Sequence, residues 1–403
     1  MLDPTEQSVL DQISLDAIVA DTQELIAARS ENPGNGEAAA VAVLHAMCER
    51  IGARVSLQEV EPHRHNLRAS VGPADAPAIL FLGHSDVVPA GEGWTGDPFV
   101  PRVESGAIIG RGSTDMKGGL AAVVAAMAAV SAHRPDIRLE LLCTVDEEDQ
   151  ALGVVKALED LEGSSLLACV VAEPTNLDIV IGCRGSTNLQ IDIVGKSAHA
   201  GRPEDGASSI YLASLVVETV RQAHAQARVA EGDPLLGGPS WNVGTISGGT
   251  GTSMVPQTTS LTIDRRMMPG EKPTEILADL LGRVENQLEH SDIVNASLMT
   301  VTGTIMLDMP AFETKADSVV PTTAQQVMEN LGRHSPLTGW TAACEGGFVA
   351  QATHAPTIIL GPGDINTQAH QPDESVRVDD LLLAAQAYAL MALRLNQKSS
   401  ETR

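Results

Sequence analysis

The feature that most constrains the fold is a series of short apolar runs, each of a length that suits a buried strand. The runs are AILFLG at 78–83, LELLCTV at 139–145, LACVVA at 167–172 and PTIIL at 356–360, with helix-like stretches between and around them. Short buried strands that alternate with helices indicate a mostly parallel sheet covered on both faces. We therefore predict an α/β fold built from both ends of the chain.

The middle of the chain has a different pattern. Between residues 186 and 302 the predicted elements follow the order β-α-β-β-α-β, which is typical of a ferredoxin-like α+β domain. A chain of 403 residues is also too long for one core. We predict an α/β domain from residues 1–183 and 304–403, interrupted by an inserted α+β domain at 184–303.

The charge balance argues against several classes of partner. The chain has 52 acidic and 26 basic residues, and its net charge of −26 repels nucleic-acid phosphates and anionic membranes. The longest apolar run, 120–130, is too short to span a bilayer, and no export signal is visible at the N-terminus. The five cysteines are scattered and lack CxxC spacing, which favours reduced thiols in the cytoplasm. We expect neither nucleic-acid nor membrane binding.

Polar side chains follow the predicted strands, where function gathers in open α/β sheets. The loops at these strand ends present His84, Asp115, Glu147 with Glu148, Glu173 and His370. Two imidazoles together with several carboxylates form the ligand mixture of a two-metal hydrolytic site. Asp86, two residues after the first histidine, is placed to accept the other ring N–H of that histidine.

Each of these residues also has an ordinary explanation. A histidine after a strand is commonly a surface residue, a Glu-Pro pair commonly forms a turn, and acids at a helix start complement its dipole. Five such coincidences at matching strand ends favour the metal site over these explanations. Other catalytic motifs are absent: the sequence has no HExxH, GxSxG or GxxxxGK[ST], and GRG at 110–112 lacks the third glycine of a dinucleotide fingerprint.

Six segments spread over nearly the whole chain resemble one known family. They are GHSDVVP (83–89), GRGSTDMKGG (110–119), DEED (146–149), AEPT (172–175), GKSAHAGRPEDGASSI (195–210) and AHQPDE (369–374). In these segments the sequence is similar to the M20 family of metallopeptidases and amidohydrolases, which includes acetylornithine deacetylase, succinyl-diaminopimelate desuccinylase, aminoacylase and glutamate carboxypeptidase. The stretch GPGDINTQAHQPDE at 361–374, with Cys344-Glu345 upstream, is most similar to the acetylornithine deacetylase branch.

The resemblance implies a role for each candidate residue of the α/β domain. It implies two divalent metal ions, with Zn²⁺ expected first and Co²⁺ or Mn²⁺ as possible substitutes. The ions would be held by His84, Asp115, Glu148, Glu173 and His370. Asp115 would bridge the ions, often next to a cis peptide bond. Glu147 would be the general base that takes a proton from water and passes it to the leaving amine. Asp86 would belong to the same catalytic group.

The resemblance also assigns roles to the inserted domain, which would act as a lid and a dimerisation domain. His199 would reach across a homodimer to stabilise the oxyanion, and Arg266 would grip a substrate carboxylate with its guanidinium fork. Ser253 occupies a position where many members have an asparagine that helps to hold substrate. The residues around Thr367 and Cys344 also depart from the commoner pattern. These differences concern the substrate, whereas the metal-ligand set is complete.

Together these observations predict a cytoplasmic, metal-dependent amidohydrolase that cleaves the amide bond of an N-acyl amino acid, with N-acetylornithine as one candidate. A dipeptidase or carboxypeptidase that acts on a short peptide could use the same scaffold, metals and base. A catalytically silent metal-binding protein is the third alternative. The intact Glu147 argues against it, because a protein that only binds metal needs no base beside the ligands.

Overall fold

The structure is a computed structural model that describes residues 2–33 and 36–401, except for the side chains of residues 400 and 401. The predicted domain limits at residues 1 and 403 lie outside these ranges. Within them the helices are α1 (Pro4–Leu10), α2 (Leu15–Ala27), α3 (Glu37–Arg50), α4 (Gly118–His133), α5 (Leu152–Leu161), α6 (Ser209–Val229), α7 (Pro273–Glu289), α8 (Val319–Asn330), α9 (Gly346–Thr353) and α10 (Val378–Glu401). The strands are β1 (Arg54–Glu61), β2 (Arg64–Val71), β3 (Ala78–His84), β4 (Arg102–Glu104), β5 (Ala107–Ile109), β6 (Arg138–Thr144), β7 (Leu166–Val171), β8 (Ile179–Cys183), β9 (Gly185–Val194), β10 (Ala198–His199), β11 (Ser240–Gly248), β12 (Met254–Val255), β13 (Thr258–Met267), β14 (Thr300–Met309), β15 (Phe312–Glu313), β16 (Leu337–Trp340), β17 (Thr357–Ile359) and β18 (Ser375–Arg377).

The chain divides into two compact units. Unit 1 comprises Met1–Gly182, Glu313–Gly339 and Glu345–Arg403, and unit 2 comprises Cys183–Phe312 and Trp340–Cys344. The predicted insertion at 184–303 begins within one residue of unit 2 but ends inside β14. The difference arises because β14 continues to Met309, beyond the alternating run that the sequence pattern indicated. The return of residues 340–344 to unit 2 was not predicted.

Unit 1 is built on a large sheet with the strand order β1-β2-β6-β3-β7-β17-β8-β15 and with β16 beside β8. The four central strands β6, β3, β7 and β17 are parallel, and β1, β2 and β8 pair antiparallel. Every residue of β3 is buried, as expected for a strand covered on both faces. The sequence pattern missed the hairpin of β1 and β2, because the polar, partly exposed β1 has no continuous apolar run.

Helix α4 is buried along most of its length, and its many alanine and glycine residues allow neighbouring elements to pack closely against it. A Cβ atom at Gly119 would lie 2.4 Å from the carbonyl oxygen of Ala172, just after β7, so the helix approaches that backbone closely. Together with the preceding turn, Ser113–His133 is long and apolar enough to cross a membrane by length and composition alone. However, 72% of its most apolar window is buried inside the protein, as in the core helix of a soluble protein.

The buried Lys117 joins the start of α4 to the end of α2. Its Nζ donates hydrogen bonds to the carbonyl oxygens of Leu25 at 2.8 Å and Ala28 at 3.1 Å. These carbonyls belong to the last turn of α2, where backbone acceptors have no partner within the helix. Lys117 therefore fixes the turn that precedes α4, and that turn carries Asp115.

Unit 2 contains a four-stranded antiparallel sheet with the order β11-β13-β9-β14. Along the chain, β9, α6, β11, β13, α7 and β14 follow the predicted β-α-β-β-α-β order. Apolar side chains of the sheet, such as Leu189 and Ile263, pack with those of α6 and α7 into one core. The alternate residues of β13, from Ser260 to Arg266, are polar and either partly buried or exposed. The predicted fold class, an α/β unit with an inserted α+β unit, is confirmed.

Candidate metal centre

The carboxyl ends of the parallel strands carry most of the predicted ligands. Strand β3 ends at His84, Glu173 lies two residues after β7, and the turn after β6 contains Glu148. Parallel strands end at the same edge of a sheet, so these side chains come together there. The irregular turn before α4 adds Asp115, whose peptide bond to Met116 is cis, and the loop before β18 adds His370.

Asp115 lies at the centre of this cluster. Its Oδ1 is 3.2 Å from Nε2 of His84, and the same nitrogen is 3.4 Å from Oε1 of Glu173. Its Oδ2 is 3.3 Å from Nε2 of His370, which in turn is 3.2 Å from Oε2 of Glu148. Each oxygen of one carboxylate thus faces a histidine–glutamate pair. We call His84 with Glu173 the first half-site, and Glu148 with His370 the second half-site.

The cluster fits divalent metal ions. One ligand atom from each of His84, Asp115 and Glu148 lies within 4.8 Å of the other two. Oε1 of Glu148 is buried and has no hydrogen-bond partner, which is costly for a carboxylate oxygen unless a positive charge meets it. Imidazole and carboxylate donors suit zinc and manganese, and two such sites that share a carboxylate form a two-metal arrangement.

The close packing of these groups shifts their pKa values. Burial lowers the pKa of His84, but the charges of Glu173 and Asp115 outweigh burial and raise it well above its usual range. Hydrogen bonding to Asp115 and Glu148 raises the pKa of His370 to about 10. These contacts favour the protonated form of both imidazoles when no metal is bound. Metal binding must displace these protons, so metal affinity should fall as the pH falls.

Asp86 connects the first half-site to the turn after β6. Its backbone carbonyl oxygen is 3.0 Å from Nδ1 of His84, and its Oδ1 is 3.4 Å from the same nitrogen. The predicted contact between Asp86 and the imidazole is present, although the backbone oxygen is the nearer acceptor. The carboxylate also accepts the backbone N–H groups of Glu147 at 3.2 Å and Glu148 at 3.1 Å. This second contact, which the sequence did not indicate, fixes the turn that carries both glutamates.

Glu147 lies in the same turn as Glu148, a candidate ligand of the second half-site. Burial raises the pKa of Glu147 well above its usual range, and the negative charges of Glu173 and Glu148 add to this effect. A carboxylate whose pKa is raised by burial accepts a proton more readily than an exposed one. The position and environment of Glu147 therefore suit a general base.

A buried polar network supports this turn, and nothing in the sequence pattern indicated it. Arg64 donates to both carboxylate oxygens of Glu37, at 2.6 and 2.5 Å, and to Oδ1 of Asp146 at 2.8 Å. The side-chain amide of Asn32 donates to Asp86 at 2.8 Å and to Asp146 at 3.0 Å. All five side chains belong to residues that are more than nine-tenths buried. They come from separate segments, so only the folded chain brings them together.

Two more buried carboxyl groups contribute to the surroundings of the metal centre. Glu345 accepts a hydrogen bond from Oγ1 of Thr144 at 2.6 Å, while its Oε1 has no hydrogen-bond partner. Burial raises the pKa of Glu345 to about 8. Glu374 accepts hydrogen bonds from the loop that carries Asp115. Both glutamates lie in segments that carry the family resemblance, but a motif alone does not show which acids are buried.

Two of the predicted residues of unit 2 lie side by side. Strand β10, which ends at His199, pairs with β12, and the N–H of Ala200 donates to the carbonyl oxygen of Ser253 at 3.0 Å. The side chain of His199 accepts the N–H of Gly201 at 3.0 Å, and the residue is exposed. The predicted roles of His199 in oxyanion stabilisation and of Ser253 in substrate binding stay predictions.

The third predicted residue, Arg266, lies in β13. Its Nε donates to Oδ1 of Asp264 at 3.0 Å, and 34% of its side chain is exposed. The preceding Arg265 is buried, pairs with both oxygens of Glu271 and lies over the ring of Trp241. Of these two neighbours, Arg266 is the one whose guanidinium is available to a ligand. Its grip on a substrate carboxylate stays a prediction.

Comparison with known proteins decides the family. The model described as "Peptidase family M20/M25/M40" matches residues 80–394. The chain belongs to the M20 family. A succinyl-diaminopimelate desuccinylase from Caulobacter vibrioides (strain NA1000 / CB15N) is 30% identical over 398 residues, which cover 95% of this chain and 96% of that relative.

Solved structures share the fold of this M20 chain. Aminopeptidase PepT from Bacillus cereus ATCC 10987 has a TM-score of 0.73 at 22% identity and covers 96% of this chain and 100% of its own. The Bacillus subtilis YXEP protein, described as a dinuclear metal binding peptidase from the M20 family, has a TM-score of 0.71 at 14% identity, with 95% and 98% covered. Membership of M20 makes this chain a metal-dependent hydrolase that acts on amide bonds, as the sequence predicted.

Proposed function

We propose that this M20 chain is a dinuclear zinc amidohydrolase that cleaves the amide bond of an N-acyl amino acid. The observation that carries the proposal is the position of Asp115, whose two oxygens each face one histidine–glutamate pair. The first half-site would hold one ion and the second half-site the other, and Asp115 would contact both. Co²⁺ and Mn²⁺ suit the same donors.

The chain's own residues would move the proton during hydrolysis. When bound, the two ions polarise the amide carbonyl and lower the pKa of the attacking water to about 7. The carboxylate of Glu147 takes the water proton and later gives it to the nitrogen of the leaving amine, so that a carboxylic acid and a free amine result. Burial raises the pKa of Glu147, which favours its uptake of the water proton. Asp86 holds the backbone of the turn while the proton moves.

The substrate class is supported by a relative and by a motif. The curated relative is named a succinyl-diaminopimelate desuccinylase, whereas the segment at 361–374 resembles acetylornithine deacetylases. Both names describe the removal of an acyl group from an amino acid. We therefore take N-succinyl-diaminopimelate and N-acetylornithine as the first candidates. Arg266 offers a guanidinium fork for a substrate carboxylate, and Ser253 would contribute to the preference among substrates.

A substrate panel tests this proposal. The zinc- or cobalt-loaded enzyme is incubated with N-acetylornithine, other N-acetyl amino acids, N-succinyl-diaminopimelate and several dipeptides, beside a chelator-treated control. We expect turnover of an N-acyl amino acid that the chelator abolishes. Turnover of dipeptides alone would place the enzyme among the dipeptidases. No turnover at all with two ions bound would contradict the proposal.

We also propose that the enzyme is a homodimer formed through unit 2. Large apolar side chains that are exposed in the described part of the chain concentrate on this unit, among them Ile210, Tyr211, Ile246, Met254, Val294, Leu298 and Met306. Strand β11 lies at one edge of the unit 2 sheet, and an edge strand offers unpaired backbone groups to a second copy. His199 belongs to the same unit, and we propose, as the family resemblance implies, that it acts at the partner's metal centre.

Mixing two inactive variants tests the role of His199. The E147Q variant lacks the base, and the H199A variant lacks the histidine. In a mixed dimer the E147Q subunit would supply His199 to a site with an intact Glu147, so activity should return on mixing. Light scattering of the wild type gives the oligomeric state independently. A fully active monomer, or no recovery in proven mixed dimers, would contradict the proposal.

We place the enzyme in the cytoplasm because of its cysteines. All five are buried thiols in the structure. The Sγ atoms of Cys183 and Cys344 lie 3.9 Å apart, at the distance of a hydrogen bond between thiols. Thiols persist in reducing compartments such as the cytoplasm. Fractionation of the native host would test this location, and recovery of the enzyme outside the cytoplasm would contradict it.

A further inference from the structure

The fully buried carboxylate of Glu374 fastens the turn that carries Asp115. Its Oε1 accepts the backbone N–H groups of Thr114 and Asp115, both at 2.9 Å. Its Oε2 accepts the N–H of Gly112 at 3.0 Å and Nη1 of Arg111 at 2.6 Å. All four partners are hydrogen-bond donors, which match an ionised carboxylate that only accepts. The hydrogen bond from Arg111 is charge-assisted.

The segment that contains Glu374 also carries His370. Oγ1 of Thr114 donates to the carbonyl oxygen of Ser375 at 2.7 Å, which adds a second tie to the turn. The side chain of Gln368 accepts both the N–H and the hydroxyl of Ser375, at 3.1 and 2.9 Å, and closes the loop around His370. His370 has a φ of 64°, and half of its side chain is exposed. Its position therefore depends on this loop and not on a strand.

The two half-sites differ in how their ligands are held. His84 is the last residue of β3, and Glu173 lies two residues beyond β7, the strand that pairs in parallel with β3. In the second half-site, Glu148 belongs to a turn and His370 to a loop. Ligands on strands are held more precisely than ligands on loops. The second half-site is therefore the one whose geometry needs an additional tie.

We propose that Glu374 is a positioning residue for the second metal ion, because it holds the turn of Asp115 and the loop of His370 at a fixed spacing. The inference rests on the ligand assignment of the proposed function. Without this carboxylate, the four donors lose their common acceptor, and Nε2 of His370 is free to move away from Oδ2 of Asp115. The second ion is then bound more weakly, while the first half-site keeps its ion.

Calorimetric titration of the metal-free proteins with Zn²⁺ tests this inference. Glu374→Gln keeps the size of the side chain but presents an NH₂ group to backbone donors. We expect the wild type to bind two ions. The E374Q variant should bind the first ion within a few-fold of wild type and the second 10–100-fold more weakly, the usual effect of losing a residue that orients a metal ligand. Glu374→Asp keeps the charge and should give an intermediate affinity for the second ion.

Glu140→Gln provides the matched control. Glu140 is equally buried in unit 1, and it pairs with Arg68 at 2.6 Å and with Arg138. It lies near the start of β6, at the other end of that strand from the turn of Glu148. Thermal unfolding of the metal-free proteins measures the cost of each substitution to folding. An E140Q variant with a comparable fall in Tm should still bind both ions.

Two results would overturn the inference. One is an E374Q variant that binds two ions as the wild type does, and the other is equal weakening of both ions. If E374Q does not fold, the E374D variant is used instead, and the question is again whether only the second ion is bound more weakly. A wild type that binds fewer than two ions would overturn the ligand assignment and this inference with it, so the two failures are distinguishable.

Discussion

The carboxylate of Asp86 accepts the backbone N–H of Glu148 at 3.1 Å. It also accepts the N–H of Glu147 and lies 3.4 Å from the imidazole of His84. One side chain thus connects a proposed ligand of the first half-site, the proposed base and a proposed ligand of the second half-site. The carboxylate is wholly buried and is held in turn by the amide of Asn32. A displacement of Asp86 would therefore affect both half-sites and the proposed base.

Replacing this carboxylate should weaken the whole centre. In Asp86→Asn, an NH₂ group replaces one acceptor oxygen and faces N–H donors, so the turn after β6 loses a contact. We expect metal affinity and kcat each to fall by about 10–100-fold. Metal content after dialysis and steady-state kinetics measure the two effects. Asp149→Asn changes an exposed acid two residues beyond Glu147 and is the control. A D86N variant with wild-type metal content would contradict this role.

Glu147→Gln separates catalysis from metal binding. Because Glu147 is proposed as a base and not as a ligand, the variant should keep two ions while kcat falls by about 10²–10⁴-fold. Elemental analysis gives the number of bound ions, and steady-state kinetics on the same preparation give kcat. Glu147→Asp retains a carboxylate at a shorter reach and should recover part of the rate. Unchanged turnover in E147Q would remove Glu147 from the mechanism.

Glu345 should make the stability of the metal-free enzyme depend on pH in a defined direction. Burial raises the pKa of Glu345 from 4.5 to about 8, so the folded protein keeps a proton that the unfolded chain has lost. The stability from this group is fully present below about pH 4.5 and is lost as the pH rises toward 8. Glu345→Gln removes this titration.

The free energy of unfolding of E345Q, relative to wild type, should therefore increase between pH 5 and pH 8. The expected increase is on the order of a few kcal/mol, as a rise of the pKa from 4.5 to about 8 implies. Denaturant unfolding in the presence of a chelator measures the difference at each pH. A difference that stays constant over this range would show that Glu345 does not titrate as described.

The close packing of α4 against the end of β7 can be tested by adding one methyl group to α4. In Gly119→Ala the new Cβ would lie 2.4 Å from the carbonyl oxygen of Ala172, next to Glu173. We expect overpacking to reduce the free energy of unfolding by about 1–3 kcal/mol and to weaken metal binding. Gly282→Ala in α7 is the control, since nothing lies within 4 Å of its Cβ position. That substitution should stabilise the helix by about 0.8–1 kcal/mol. Similar effects in both variants would contradict the packing argument.

The clustering of the five candidate ligands could be predicted because each follows a local signal, while their role as metal ligands stays a prediction. His84 and Glu173 come directly after apolar runs that form β3 and β7, and a parallel sheet brings such ends together. The supporting residues have no such signal. Arg64 and Asn32 contact Asp146 across long stretches of chain, and neither lies in a motif or on a periodic face.

The boundaries of the inserted unit were also hard to predict, because they depend on contacts between distant parts of the chain. Its β-α-β-β-α-β order follows from periodicity, which is local, but its end depends on how far β14 pairs with β9. That pairing runs from Thr300 to Met309, past the predicted boundary at 303. The hairpin of β1 and β2 was missed for a related reason. Strand β1 is polar and partly exposed, so it has no continuous apolar run.

Anomalous X-ray scattering at the zinc edge from crystals of the zinc-loaded enzyme tests the central claim most directly. The ligand assignment predicts two peaks that both contact Asp115, one between His84 and Glu173 and the other between Glu148 and His370. A single peak, or peaks that lie away from Asp115, would contradict the dinuclear centre.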